Sequence, residues 1–205
     1  LSKNIHSQLL NIASEKYPRL NKMLVINGVI SLGKSEKSDF FRSMARTVAG
    51  QQLSKQAATK IWGRVVSAAE RHGIELEEFC SEGYAENIRE CGLSKLKAQA
   101  ILRLKQAITS NQIDVDYLAA ASHKEIRSEI SKLWGFGNWS ADMMALFFFG
   151  KEDVWAPEDA ALKRGMLILS NNDLEVSEQI VHDSRPYRSY LSLHIWKALD
   201  DKIFN

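Results

Sequence analysis

The chain of 205 residues is 45% hydrophobic and 25% charged, the proportions of a globular protein with a buried core, and its 3 Pro and 11 Gly leave little room for linkers or disorder. Lys and Arg number 27 against 25 for Asp and Glu, a net charge of +2, so a nucleic-acid partner would have to be met by a local basic face rather than by overall charge. Cys80 and Cys91 are too few for a disulfide framework or a four-thiolate metal centre, and the apolar run at 143–149 is too short to cross a bilayer. The first residues form neither a signal-peptide core nor an Arg-rich transit segment, which predicts an intracellular protein that meets no membrane.

In chain order, Ile5, Leu9 and Ile12 follow helical spacing in a first helix expected to stop near Pro18. Residues 25–32, rich in β-branched side chains and interrupted by Gly28, read as a small strand or an extended loop. Ser38 and Asp39 are suited to cap a helix carrying Phe40, Phe41, Met44 and Val48. After Gly50-Gln51-Gln52-Leu53, Ser54 caps another helix with Ala57, Ile61, Val65 and Ala68, ending at Gly73.

Short helices are expected at 75–80 and 84–90. Ser94 then caps a longer one with Leu96, Ala100, Ile101, Leu104 and Ile108 on its apolar side. Its other face carries Lys95, Lys97, Arg103 and Lys105, a pattern that reads first as a solvated face and second as a phosphate-binding one. Helices at 124–133 and 138–149 are separated only by Trp134-Gly135-Phe136-Gly137, and others are expected at 159–170, 177–182 and from Pro186 to 199. The fold class is all-α, with at most a vestigial sheet.

Two helices joined by a four-residue turn with two glycines make a compact hairpin. Gly137 can take positive φ, and backbone N–H groups at the start of the second helix carry the positive end of its dipole, a combination able to grip a DNA phosphate. About twenty residues on, Asp159 is placed to cap a helix. Either feature alone is satisfied by structure: a glycine turn closes a hairpin, and a capping carboxylate contributes about 0.5–2 kcal/mol with no function attached. Together they have the layout a DNA N-glycosylase requires, a backbone grip at a fixed distance from an acid that faces the C1′ of a flipped nucleotide.

The stretch 133–150, running on to Pro157-Glu158-Asp159, resembles the helix–hairpin–helix DNA glycosylase superfamily with its Gly/Pro-rich loop and catalytic aspartate. Residues 48–54 resemble the loop that enters the DNA minor groove, and 185–196 the last helix of the 3-methyladenine DNA glycosylase II-like branch, the likeness running in order over about residues 38–199. The resemblance implies two helical lobes around a central cleft in a single catalytic unit. One would comprise about 38–150 with the hairpin, the other 1–37 plus 151–205. It also implies a monomer that acts on double-stranded DNA containing alkylated bases and excises purines of the 3-methyladenine and 7-methylguanine type in base excision repair. Asp159 would be catalytic, with Trp139, Trp196 and Met143 lining the base pocket. Gly135, Phe136, Gly137, Asn138, Gln51, Gln52 and Leu53 would contact DNA, with Gln52 at the wedge position and Leu53 either a DNA contact or a staple into the core.

No cofactor is required on this resemblance, although a monovalent cation at the hairpin backbone belongs to it, and no other metal is implied. Trp134 stands where the family's hairpin usually has proline, and Met143 where a relative has a pocket tyrosine. Two cysteines before residue 92 cannot make the superfamily's four-cysteine iron–sulfur cluster. The position of the lyase nucleophile holds Trp139 instead of lysine, which implies a monofunctional enzyme using water. Trp62, Trp134 and Trp155 read as core, His194 as a structural histidine, and Arg188 and Tyr190 as braces. The alternatives are a glycosylase for mismatched or deaminated bases on the same fold, and a non-catalytic module that binds damaged DNA.

Overall fold

The computed structural model describes residues 2–204, among which there is no strand. The helices in chain order are α1 (Ser2–Lys16), α2 (Pro18–Asn27), α3 (Phe40–Gly50), α4 (Lys55–His72), α5 (Leu76–Phe79), α6 (Ala85–Glu90), α7 (Lys95–Thr109), α8 (Val115–Ala120), α9 (His123–Ile130), α10 (Asn138–Met143), α11 (Ala160–Leu169), α12 (Leu174–Asp183) and α13 (Arg188–Asp200). Among the described residues no helix is long and apolar enough to cross a membrane. The elements form two compact units, one from the chain before residue 35 and after residue 149, the other Ser35–Phe149.

In the first unit α1 buries Ile5, Leu9 and Ala13, a single stripe at four-residue spacing that packs on α2. The α1 helix ends at Lys16, as expected near Pro18, and Pro18 itself opens α2. At the first helical position its missing N–H has no partner to lose and its fixed φ is already helical. The helix runs to Asn27 and stops at Gly28, which turns the chain at φ +64°. Val25 and Ile26 are therefore helical residues on an exposed face, and only the stretch from Gly28 onward is extended. The α11 and α13 helices cross at Gly165, where a Cβ would lie 2.2 Å from Ile195 Cγ2. The α12 helix starts earlier than Ser177, because Asp173 accepts the Val176 N–H as its cap.

In the second unit α3 is the central helix, burying Phe40, Phe41, Met44, Ala45, Val48 and Ala49 against α4, α7 and the hairpin. Ser38 and Asp39 lie in a 3-10 turn that winds into α3, and the Asp39 side chain makes no capping bond. Ser54 and Ser94 do cap α4 and α7. On α7 the buried side begins at Ala98, so Leu96 in the first turn stays 67% exposed. Two helix starts owe nothing to the apolar pattern: Asp114 caps the six-residue α8, and Ser122 with Glu125 forms a reciprocal capping box that starts α9 at His123.

The helix expected over 138–149 is α-helical only to Met143 and continues as a π-helical turn, Met144–Phe148. The wider turn sets the ring of Phe148 edge-on to Phe40 at 5.4 Å, with Phe149 6.3 Å from the same ring.

Gly165→Ala tests the α11–α13 crossing. Its methyl can be accommodated only by moving Ile195, so destabilisation of about 1–3 kcal/mol is expected. A thermal melt with unchanged Tm would show that the two helices can separate without cost.

Candidate functional site

The hairpin is closed by the Phe136 N–H donating to the Leu133 carbonyl at 3.1 Å. Its left-handed residue is Gly135, at φ +86°, and not Gly137, whose φ of −114° is ordinary extended backbone. Gly135 is required twice over, because a Cβ there would also lie 2.5 Å from the Cβ of Ala100 on α7. The space around Gly137 is open, so nothing in the fold demands glycine at that exposed N-cap.

Phe136 is 5% exposed, which makes its side chain the anchor of the turn and not a surface contact. Trp134, by contrast, is 40% exposed, with the Arg103 guanidinium 4.5 Å over its ring. It is not a core residue. Of the four cations read as one solvated face of α7, Arg103 covers Trp134, Lys105 pairs with Glu78, Lys97 turns inward and Lys95 is exposed.

The loop between α3 and α4 is tied to this hairpin. Gln51 Nε2 donates to the Gly135 carbonyl at 3.0 Å and to Ser140 Oγ at 2.9 Å, so its amide is engaged within the protein. Lys97 Nζ donates to the carbonyls of Ala49 and Gln51 at 3.0 and 2.7 Å, and burial pulls its pKa below the usual lysine value. Gln52 and Leu53 project from the braced segment. Gln52 is exposed at φ +56°, a left-handed conformation that costs a non-glycine residue about 1–2 kcal/mol. Leu53 is 40% exposed and does not staple into the core. On α10, Trp139 is half-buried and Met143 is 8% exposed.

A feature that sequence reasoning missed joins the two hairpin helices. Asp142 on α10 is fully buried, with Oδ1 2.7 Å from His123 Nε2 and 3.1 Å from Arg127 Nε on α9. An aspartate inside an apolar run is the one local signal, since the partners lie far upstream in sequence.

In the other unit, Asp159 caps α11. Its Oδ1 accepts the Leu162 N–H at 2.8 Å and Trp196 Nε1–H at 3.2 Å, so the sequence's proposed acid and one of its proposed pocket walls are in direct contact. The segment leading to Asp159 is stitched to the start of α13. Arg188 forms a two-point pair with the Asp153 carboxylate at 2.6 and 2.9 Å, Ser189 Oγ accepts from the Val154 N–H and donates to the Lys151 carbonyl, and Tyr190 donates to Glu152 at 3.1 Å. Burial alone would raise the Asp153 pKa, but the Arg188 bonds and charge outweigh it and hold the carboxyl below its usual range. Val154 and Ala156 are buried beneath this lacing, and the Asp159 N–H donates back to the Ala156 carbonyl.

His194 is 1% exposed; Asn27 Nδ2 lies 3.2 Å from its Nδ1 and donates to its carbonyl at 2.8 Å. Burial, then the charges of His6 and Lys197, push its pKa down to about 4. The folded state therefore binds its proton less readily than the unfolded chain, whose histidine titrates near 6.5. Its contribution to stability is present above pH 6.5 and is lost as pH falls to 4. Urea melts across this window should show that decline, and His194→Gln should flatten it; an unchanged slope would remove His194 as its source. The depressed carboxylates Asp153 and Asp183 act in a lower window, below their ordinary value of 3.8.

The two hairpin glycines give a paired test. Gly135→Ala should destabilise by about 2 kcal/mol through positive φ and the clash with Ala100. Gly137→Ala should melt like the wild type, and equal Tm values for the pair would show that the hairpin does not rest on Ala100.

No family model matches the chain. Among curated proteins, the DNA-3-methyladenine glycosylase of Saccharomyces cerevisiae is 30% identical over 175 residues, covering 80% of this chain and 59% of the yeast protein. The chain thus spans about three-fifths of that relative's length. DNA-3-methyladenine glycosylase 1 of Schizosaccharomyces pombe is 25% identical over 168 residues, 80% of this chain and 74% of the relative. Among solved structures, the Schizosaccharomyces pombe 3-methyladenine DNA glycosylase in complex with abasic DNA matches with a TM-score of 0.79 at 20% identity, covering 93% of this chain and 95% of that one. A DNA-3-methyladenine glycosidase from Bacillus halodurans matches with a TM-score of 0.71 at 27% identity, covering 93% and 88%. Sequence and fold lead to the same relatives: the chain is similar in sequence to DNA-3-methyladenine glycosylases and shares the fold of their solved structures.

Proposed function

We propose that this chain is a monofunctional DNA N-glycosylase that binds double-stranded DNA, flips out purines alkylated on a ring nitrogen and hydrolyses their N-glycosidic bond. The observation that carries the reading is the Asp159 carboxylate, held at the start of α11 by one backbone and one indole N–H. The curated relatives and a solved neighbour carrying abasic DNA, the form left when such a bond is hydrolysed, support it.

A 3-methyladenine or 7-methylguanine base carries a formal positive charge in DNA and leaves without a strong acid. What the transition state needs is negative charge near the deoxyribose, where an oxocarbenium-like centre develops, and a group to orient or deprotonate water. An ionised Asp159 serves both needs, and its two donors keep the carboxylate from turning away. Trp196, in contact with Asp159, supplies a ring face suited to a cationic base, about 0.5–2 kcal/mol per contact, and Trp139 on α10 of the other unit carries the same ring chemistry. Met143 adds a polarizable wall. Trp139 cannot form a Schiff base, so water is the nucleophile and the strand is left uncut.

The exposed Gly137 and Asn138 at the start of α10 are the backbone grip for a phosphate. A monovalent cation beside the hairpin fits the groups present. The carbonyls of Leu133, Gly135 and Gly137 each accept one N–H, which leaves a second lone pair for a hard ion. These oxygens would hold it, and its charge would strengthen the phosphate contact.

Asp159→Asn is the deciding variant. Asparagine retains an oxygen for both donors and caps helices well, so folding and duplex binding should be close to wild type. Single-turnover release of 3-methyladenine or 7-methylguanine from methylated duplex should fall by about 100-fold or more. Near-normal release would dismiss Asp159 as the catalytic residue.

A further inference from the structure

We propose that Lys97 and Gln51 are positioning residues for base flipping: they form a brace that locks the α3–α4 loop to the hairpin and presents Gln52 and Leu53 as a pre-set wedge. This rests on the glycosylase reading, and it assigns to Lys97 a role other than a phosphate contact.

The geometry is that of a strut with two ends. At one end the Lys97 ammonium, reaching from α7, takes the carbonyls of Ala49 and Gln51, which lie at the unsatisfied C-terminal end of α3. At the other end the Gln51 side chain takes the Gly135 carbonyl and Ser140 Oγ on the two sides of the hairpin turn. A single residue thus has its backbone held by α7 and its side chain held by the hairpin. Between the brace and the Ser54 cap of α4, only Gln52 and Leu53 remain unburied.

Gln52 is held in left-handed backbone without being glycine or asparagine, and the adjoining turn is closed by the Leu53 N–H donating to the Gly50 carbonyl at 3.2 Å. A strained residue persists where its surroundings over-determine it, and Lys97 and Gln51 are what over-determine this one. A free loop would relax the strain and let the wedge fold back. A braced loop keeps Gln52 and Leu53 projecting before DNA arrives, so the void left by a flipped base is filled without an ordering cost at that step.

A wedge matters where a base must be pulled from a partner and matters little where no partner exists. Single-turnover excision should therefore be measured on two duplexes, one with 7-methylguanine paired to cytosine and one with it opposite an abasic site. For Lys97→Met and Gln51→Met, the rate on the paired duplex should drop about 10-fold while the rate opposite the abasic site stays within about 2-fold. Lys97→Arg, whose guanidinium can still reach both carbonyls, should retain the wild-type ratio. Gln52→Ala should add little in the Lys97→Met background, because the two changes disable one device.

Amide hydrogen exchange at Leu53 should be faster in Lys97→Met than in the wild type with the rest of α3 and α4 unaltered, a measurement that needs neither DNA nor catalysis. Equal losses on the two duplexes, with the slope of log Kd against log salt reduced by about one, would make Lys97 a phosphate contact and overturn the brace. Unchanged Leu53 exchange would overturn it as well. A wild-type protein that releases no base from either duplex would instead remove the glycosylase reading, with the exchange measurement still deciding whether the brace exists.

Discussion

The arrangement of the hairpin unit depends on how closely two backbones can approach at Gly135. With no Cβ there, the turn lies against Ala100 on α7, and the left-handed φ swings the chain into the start of α10. That approach brings the Gly135 carbonyl within reach of Gln51, while Lys97, three residues before Ala100 on α7, takes the carbonyls at the end of α3, which packs on α7 directly. Move the turn outward by the width of a methyl and the bonds from Gln51 to the hairpin lengthen. The grip, the loop and the helix beneath them are thus one mechanical element whose spacing is fixed by contact and not by electrostatics, which depend much less steeply on distance.

Helix ends do most of the positioning in both units, and the reason is general. Orphan N–H and C=O groups at an end have to be satisfied, so whatever satisfies them is held tightly. Asp159 answers the N–H of Leu162, Lys97 answers the carbonyls at the end of α3, and Ser122 with Glu125 closes the start of α9 next to the hairpin. Asp159 combines stability with proposed chemistry in one group: the carboxylate that caps α11 is the one proposed to face the sugar. The buried Asp142 follows the same economy, pinning α9 to α10 through His123 and Arg127 while the turn between them stays at the surface.

Short-range chemistry was the part legible in the sequence. Ser54, Ser94 and Asp159 announce their helices because a capping oxygen acts within three residues, and the two glycines announce the turn. Which glycine is left-handed was not legible, since that depends on Ala100, more than thirty residues upstream. Pro18 marks the end of α1 as its sequence suggests, but that it also opens α2 was not legible, because proline both ends helices and begins them. Trp134 was taken for core on its size; it lies outside because Phe136, two residues on, is the ring that fills the hairpin's interior. Lys97 looked like one charge among four, and nothing in its own segment records that the end of another helix lies beside it.

The chemistry of the proposed substrate explains why so few groups suffice. Excising a neutral base calls for a proton donor at the leaving ring, and His194, two residues before Trp196, is not suited to be one. It is buried, its Nδ1 faces Asn27, and a pKa pushed to about 4 keeps it uncharged at neutral pH. An amide and an indole N–H are among the groups on Asp159, donors that orient its carboxylate. Alkylation of the ring nitrogen makes a strong acid unnecessary, because the cationic base then departs as a neutral molecule. Under the proposed function such a site would select by reactivity as well as by fit, because undamaged purines would present a poorer leaving group to the same carboxylate.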